Sequence, residues 1–383
     1  MAASASDSPP DPLNDPLNDP THDSRINLIV IFGGQSAEHD VSCTTAAHVL
    51  KAADPAKYRI TPIGISRDGS WAIAAQALAA LGEGPHALPG RLDPAGDAVA
   101  PTAAISPTTS SGLPAAGGRT VVLPLLHGPL GEDGTVQGML ELAGVAYVGT
   151  GVLGSAVAMD KAMAKQVATA NGIPQARYVA LRAHEITPGT PARLAEELGL
   201  PVFVKPANMG SSVGVSKAKT VEAIRGAIDL ALSYDEWVVV EEAIVGREIE
   251  VAVLGNLEPR ASVPGEIVPA AEFYDYADKY VDDGSQCIIP APLTAQQTAE
   301  VRALALSTFR AMRAEGLSRV DFFFEEDGRG FLLNEINTMP GFTPISMYPK
   351  LWMASGLTYS ELIDEMVRLA LERHARRRRN TAH

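Results

Sequence analysis

The 383 residues amount to 40.2 kDa, 46% hydrophobic and 20% charged with a mean hydropathy near zero, which suits a soluble globular chain with two or three cores. Acids outnumber bases 45 to 31, for a net charge of −14. This argues against a general nucleic-acid or membrane binder, because phosphate surfaces reward clustered positive charge. Two cysteines, Cys43 and Cys287, exclude a disulfide framework and a cysteine-based zinc site and read as reduced and structural.

Residues 1–24 hold five Asp, no Lys or Arg, and Asp-Pro-Leu-Asn twice, at 11–14 and 15–18. With few large apolar groups to offset ordering entropy, they read as a disordered extension. They lack the basic and apolar regions of a secretory signal, which points to the cytosol. Asn27–Phe32 is an apolar run closed by Gly33-Gly34, the pattern of a buried parallel strand. A helix over Val41–Ala52 and strands at Tyr58–Ile65 and Val121–Leu126 complete an α/β unit with an open parallel sheet, spanning 25–149. Residues 75–118, rich in Ala, Pro and Gly, read as an irregular insertion. The charge-free run Leu142–Met159 is cut by Gly144, Gly149, Gly151 and Gly154, so it does not read as a membrane span.

A second unit, 150–241, carries a helix over Asp160–Asn171, strands at Val202–Lys205 and Val213–Lys217, a helix over Val221–Leu232 and a strand at Glu236–Glu241. A third, 242–373, has strands at Arg247–Leu254, Leu317–Phe324 and Phe331–Asn337, the last two joined by a turn at Glu325–Gly330. Helices over Thr294–Ala314 and Thr358–Arg373 cover its sheet. The tail from Arg373 contains five Arg and no acid and reads as solvated and frayed, with 374–383 as a basic end.

Chemistry concentrates in the last hairpin. Side chains alternate along a strand, so Arg319 and Asp321 share a face, as do Glu335 and Asn337. Two carboxylates and an amide oxygen in one patch suit a hard cation such as Mg²⁺; the simpler alternative is a salt-bridged face. Lys205 ends a strand and is followed by the small, polar loop 207–212, which suits a phosphate cradle of backbone N–H groups, or else an ordinary hairpin. The loop lacks the spacing of a Walker A motif, and Gly33-Gly34 lacks that of a dinucleotide fingerprint. Phe273–Tyr280 alternates aromatic and charged residues, as a lid or a surface loop would. His127-Gly128 and Glu132-Asp133-Gly134 lie at the carboxyl edge of a strand, where open α/β sheets bind ligands. These features together point to an ATP-dependent enzyme.

The order of motifs resembles that of the D-alanine–D-alanine ligases of the ATP-grasp superfamily. The resemblance is carried by Gly33–Ser42, Leu126–Gly134, Met159-Asp160-Lys161, Lys205–Gly214, Tyr274–Tyr280, Arg319–Asp321 and Asn334–Thr343, and extends from Asn27 to Arg373. It implies a three-domain architecture, α/β and α+β, with nucleotide held between two α+β domains. It also implies a reaction in which ATP and two D-alanines give D-alanyl-D-alanine, ADP and phosphate for peptidoglycan synthesis. By resemblance, Asp321, Glu335 and Asn337 hold two Mg²⁺ or Mn²⁺ ions, and a monovalent cation is left open. Lys161 and Lys205 contact phosphate, Ser211 and Ser212 lie over the γ-phosphate, and Glu241, Ile244 and Glu248 hold the nucleoside. Glu38 binds the first D-alanine's ammonium with His127 nearby, and Arg319 and the Gly341 N–H stabilise the oxyanion. Ser346 and Met347 hold the second carboxylate. Lys279, which also serves ATP, and Tyr280 belong to the family's mobile loop, where Glu38, Ser211 and Tyr280 form a triad. Tyr280 favours D-alanine over D-lactate as second substrate. The alternatives are a D-alanine–D-lactate ligase and a non-catalytic nucleotide-binding module. The family is commonly homodimeric, and no nucleic-acid or membrane partner is implied.

Overall fold

The computed structural model describes residues 25–105, 119–268 and 286–377, arranged around three sheets. The extension 1–24, the aromatic cluster with Lys279 and Tyr280, and the last six residues lie outside the described residues.

The first sheet contains β1 (Ile26–Gly33), β2 (Tyr58–Ile65), β3 (Trp71–Ala74), β4 (Gly96–Ala98), β5 (Thr120–Pro124) and β6 (Ala146–Tyr147) in the order β4-β3-β2-β1-β5-β6. Its centre is parallel, as the apolar runs require, but β3 and β4 join antiparallel, so the sheet is mixed rather than wholly parallel. Alternation along β1 explains its continuous hydrophobicity. Leu28, Val30 and Phe32 enter one core with Val49 and Leu50 of α1 (His39–Ala52), while Ile29 and Ile31 enter another with Val136 and Leu140. Both faces are covered, so no position is left for a polar residue.

The stretch after Ala74 is more regular than its composition suggests. It forms α2 (Ala75–Glu83), β4 and the short α3 (Pro101–Ala104), anchored by buried Ala77, Leu88, Leu92, Ala104 and Ile105. Widely spaced small and aliphatic anchors give little periodicity, which is why the segment reads as irregular in sequence. Then α4 (Thr135–Leu142), α5 (Val152–Met159) and α6 (Lys161–Ala170) follow. Asp160 caps α6 by accepting from the Met163 N–H at 2.9 Å, which fixes where Lys161 emerges.

The second sheet, β7-β10-β8-β9, is antiparallel and comprises β7 (Tyr178–Arg182), β8 (Val202–Pro206), β9 (Ser216–Ala218) and β10 (Trp237–Glu242), with α7 (Thr190–Leu198) and α8 (Val221–Leu232) packed against it. The third, β13-β12-β11-β14-β15, is also antiparallel: β11 (Arg247–Gly255), β12 (Arg260–Val268), β13 (Gln286–Ile288), β14 (Gly316–Glu325) and β15 (Gly330–Asn337). One face packs on α9 (Ala295–Ala311) and α6. The other, through Ala252, Leu254 and Leu317, shares a core with the first sheet, α10 (Met347–Ala354) and α11 (Tyr359–Arg376).

The basic end is not frayed at its start. Arg373 is 3% exposed, donates to the Gly149 and Tyr147 carbonyls and lies over the Tyr147 ring. Arg376 and Arg377 pair with Glu315. The buried stripe Ile363, Met366, Val367 and Ala370 of α11 continues into Arg373, so this guanidinium sits where an apolar residue would be the simpler choice. Cys43 is buried and Cys287 exposed, both free. Among the described residues, no helix is long and apolar enough to cross a membrane.

Candidate functional site

A cleft of about 470 Å³ opens between the second and third sheets. Its floor is the β14–β15 hairpin, where Arg319 faces Asn337 and Asp321 faces Glu335 directly across the strands. A register shift after Asp321 separates these polar pairs from the aromatic half, where Phe324 stacks on Phe331. The hairpin therefore has a polar end at the cleft and an apolar end in the core.

Arg319 grips Asp321 through two hydrogen bonds, Nε at 2.8 Å and an Nη at 2.7 Å, and lies 3.0 Å from Glu250. Burial works against its charge, but Asp321 and Glu250 outweigh burial and hold it firmly protonated. Asn337 donates to Asp321 at 3.0 Å and to Glu335 at 3.4 Å. Two carboxylates and an amide converge, and all three supply hard oxygen donors once the amide presents Oδ1 in place of its NH₂. Among the described residues, no three His, Cys, Asp or Glu side chains are grouped to hold a metal. A cation held there would take the Asn337 amide oxygen as its third protein ligand. The residues fit a Mg²⁺ site on those terms.

The opposite wall is cationic. Lys161 donates to the Met209 carbonyl, tying the start of α6 to the small-residue loop. Ser211 and Ser212 both adopt positive φ, 49° and 59°, a conformation that costs non-glycine residues about 1 kcal/mol or more each and clusters at functional sites. The turn they form delays β9 to Ser216, three residues beyond the Val213 start read from sequence. Lys205 lies 3.0 Å from Glu241 and 3.5 Å from Asn334 Oδ1. Burial would raise the Glu241 carboxyl, but the ammoniums of Lys165 and Lys205 hold it at about 2. Ile244 and Glu248 line the same cleft.

Glu38, His127, Gly341, Ser346 and Met347 do not line that cleft but adjoin it. A Cβ placed on Gly128 or on Gly210 would lie 3.3 Å from Glu38 Oε2, so glycine lets both loops close on this carboxylate. His127 is buried with Nδ1 3.1 Å from the Met339 carbonyl, while Nε2 has no hydrogen-bond partner among the described residues. Ser346 accepts from the Thr343 N–H at 3.2 Å and lies 3.2 Å from a Cβ placed on Gly341. Met347 is buried at the start of α10. The remaining two site residues read from sequence, Lys279 and Tyr280, lie outside the described residues.

Two buried groups and one partly buried group at the site were not assigned from sequence. Lys165 pairs with Glu241 at 3.2 Å; its signal is a lysine on the buried stripe Ala162, Lys165, Ala168 of α6. Glu250 shares the face of Glu248 by strand alternation. Glu132, already visible in a motif, accepts from the Gly128 N–H at 2.7 Å. Burial first, then the nearby Glu38 charge, push its carboxyl up to about 8.

Comparison with known proteins agrees with this geometry. The family models for the D-Ala–D-Ala ligase N-terminus and C-terminus match residues 27–150 and 167–368. A D-alanine–D-alanine ligase of Geobacillus thermodenitrificans is 47% identical over 356 residues, covering 90% of this chain and 95% of that protein. One from Paenarthrobacter aurescens is also 47% identical, covering 91% and 96%. Among solved structures, the D-alanine–D-alanine ligase from Coxiella burnetii superposes with a TM-score of 0.78 at 37% identity, covering 92% of this chain and 96% of that one. A D-Ala:D-Ser ligase from Enterococcus faecalis gives 0.75 at 33% identity, covering 91% of this chain and 100% of that one. By sequence and by overall fold, this chain belongs to the D-alanine–D-alanine ligase family and has its ATP-grasp fold.

Proposed function

We propose that the protein joins two D-alanines at the expense of ATP, through a D-alanyl phosphate, to give D-alanyl-D-alanine for the cell wall. The observation that carries this reading is the facing of a lysine-and-serine wall (Lys161, Lys205, Ser211, Ser212) by the Asp321–Glu335–Asn337 patch across one cleft. A carboxylate is a poor acyl donor, so its oxygen takes the γ-phosphoryl group from ATP as ADP departs, and thereby becomes part of a leaving group. The second amine, arriving neutral, then attacks the carbonyl and phosphate departs. When bound, Mg²⁺ at Asp321, Glu335 and Asn337 neutralises charge on the phosphates.

The chain's own groups do the rest. Lys161 and Lys205 hold the phosphate chain, and Glu241, Ile244 and Glu248 hold the nucleoside. Glu38 fixes the first ammonium with His127 beside it. Arg319 and the Gly341 N–H stabilise the tetrahedral oxyanion. Ser346 and Met347 receive the second carboxylate. The three sheets support domains at 25–149, 150–241 and 242–373, and the same reading makes the protein a cytoplasmic homodimer. The D-lactate alternative is not favoured, since the similar ligases named above act on D-amino acids by their names.

The test is phosphate release from ATP with D-alanine alone and with added D-lactate, across pH, with the product identified by mass. Turnover with D-alanine alone supports the reading. No turnover with D-alanine alone sinks it.

A further inference from the structure

Lys165 is the most enclosed cation of the cleft. It rises from α6 one turn after Lys161, with its side chain 4% exposed, and its Nζ stands 5.3 Å from the Tyr178 ring centre. Its ion-pair partner among the described residues is Glu241, 3.2 Å away, and the contact lacks hydrogen-bond geometry. The Glu241 carboxylate is divided: Oε1 faces Lys165 and Oε2 faces Lys205. Two ammoniums and one carboxylate leave one net positive charge in a buried group, at the end of the cleft where Lys205 stands.

Burying a third charge to serve only as packing would be costly, and burial does pull the Lys165 ammonium below its ordinary range. A methionine would fill the same space on the stripe at lower cost. The arrangement is explained if the extra charge is used. A lysine fully matched by its own carboxylate offers little attraction to a polyphosphate. One whose carboxylate is already shared keeps its charge for the ligand.

We propose that Lys165 is a positioning residue for nucleotide binding: it takes over the neutralisation of Glu241 so that Lys205 can turn its charge to the phosphates. This rests on the assignment of the cleft to ATP. Lys165 itself does not touch the reacting atoms.

The experiment is a double-mutant cycle read by calorimetric binding of MgATP and MgADP and by steady-state kinetics. Lys165→Met is expected to weaken nucleotide binding about tenfold or more, with KM for D-alanine within twofold of the parent. Lys165→Arg, which restores the charge, is expected to stay within threefold for nucleotide. In a Glu241→Gln background, Lys165→Met is expected to change nucleotide affinity no more than threefold, because no carboxylate then needs the second ammonium. Urea unfolding of the same variants separates a purely structural role, which would degrade nucleotide and D-alanine parameters together. Unchanged nucleotide affinity in Lys165→Met, or an equal loss with and without Glu241, overturns the proposal. If the unaltered protein binds nucleotide but shows no D-alanine-dependent phosphate release, the ligase reading fails while the role of Lys165 stands. If it binds no nucleotide, both fail.

Discussion

Arg319 and Asp321, two residues apart on one strand, hold each other in a fork of two hydrogen bonds, 2.8 and 2.7 Å long. The guanidinium proposed for the oxyanion is therefore also the counter-ion of a carboxylate proposed for Mg²⁺. A cation held beside Asp321 would give that carboxylate a second positive neighbour and weaken its hold on Arg319.

Arg319→Ala should accordingly lower both activity and stability. It strands Asp321 and Glu250, both less than 10% exposed, and breaking such a buried pair costs about 3–5 kcal/mol. Loss of an oxyanion donor lowers kcat by roughly 10²–10³. Saturating Mg²⁺ should raise the urea midpoint of the variant more than that of the parent, because the ion replaces the missing charge. An equal Mg²⁺ effect on both would separate Arg319 from the metal site.

Glu335→Ala tests the metal patch from the opposite strand. Glu335 is half-buried, so the variant should fold with near-parental stability. Turnover should fall about 10³-fold or more, and the Mg²⁺ concentration for half-maximal activity should rise at least tenfold. Full turnover at ordinary Mg²⁺ would remove Glu335 from the ligand set.

Much of this geometry was legible because the chemistry lies in short, ordered motifs. Alternation alone puts Arg319, Asp321, Glu335 and Asn337 on one face, and the structure pairs them across the hairpin. Lys165 was not legible in the same way: it sits in an ordinary helix, and only the third dimension shows that its face is buried and meets β10. Glu250 hides likewise in a strand whose acids look like a solvent face. Arg373 was misread because a run of arginines resembles a solvated tail until β5, β6 and β14 are placed around the last helix. The short strands β3, β4, β7 and β13 escaped because three to five residues carry too little pattern to set a period.

Glu132 gives a pH signature. Its carboxyl is raised from the ordinary 4.5 to about 8 by burial and by Glu38. Between those values the folded protein holds a proton that the unfolded chain has released, so stability falls as pH rises through the window and levels off above it. In metal-free protein, Glu132→Gln keeps an acceptor for the Gly128 N–H and removes the titration. Its urea midpoint should match the parent below about pH 4.5 and exceed it increasingly toward pH 8, by an amount on the order of 4 kcal/mol. A pH-independent difference between the two would place the shift elsewhere.

Arg373 joins the last helix to the first sheet. Its guanidinium satisfies the carbonyls of Tyr147 and Gly149 and lies 4.0 Å from the Tyr147 ring centre. Gly149 in turn abuts Gly316, where a Cβ would come within 3.2 Å of the Gly149 backbone. The contact therefore fixes the entry to β14, the strand that carries Arg319 and Asp321. Arg373→Ala leaves two carbonyls without their donor and a void over the ring, a loss of about 3 kcal/mol by chemical denaturation. Arg373→Lys keeps the charge but cannot span both carbonyls with a planar fork, so it should recover less than half. Because the residue is remote from the nucleotide cleft, KM for ATP at a temperature where the variant is folded should stay within twofold of the parent. A variant with parental stability would show that β14 is positioned by the apolar core alone.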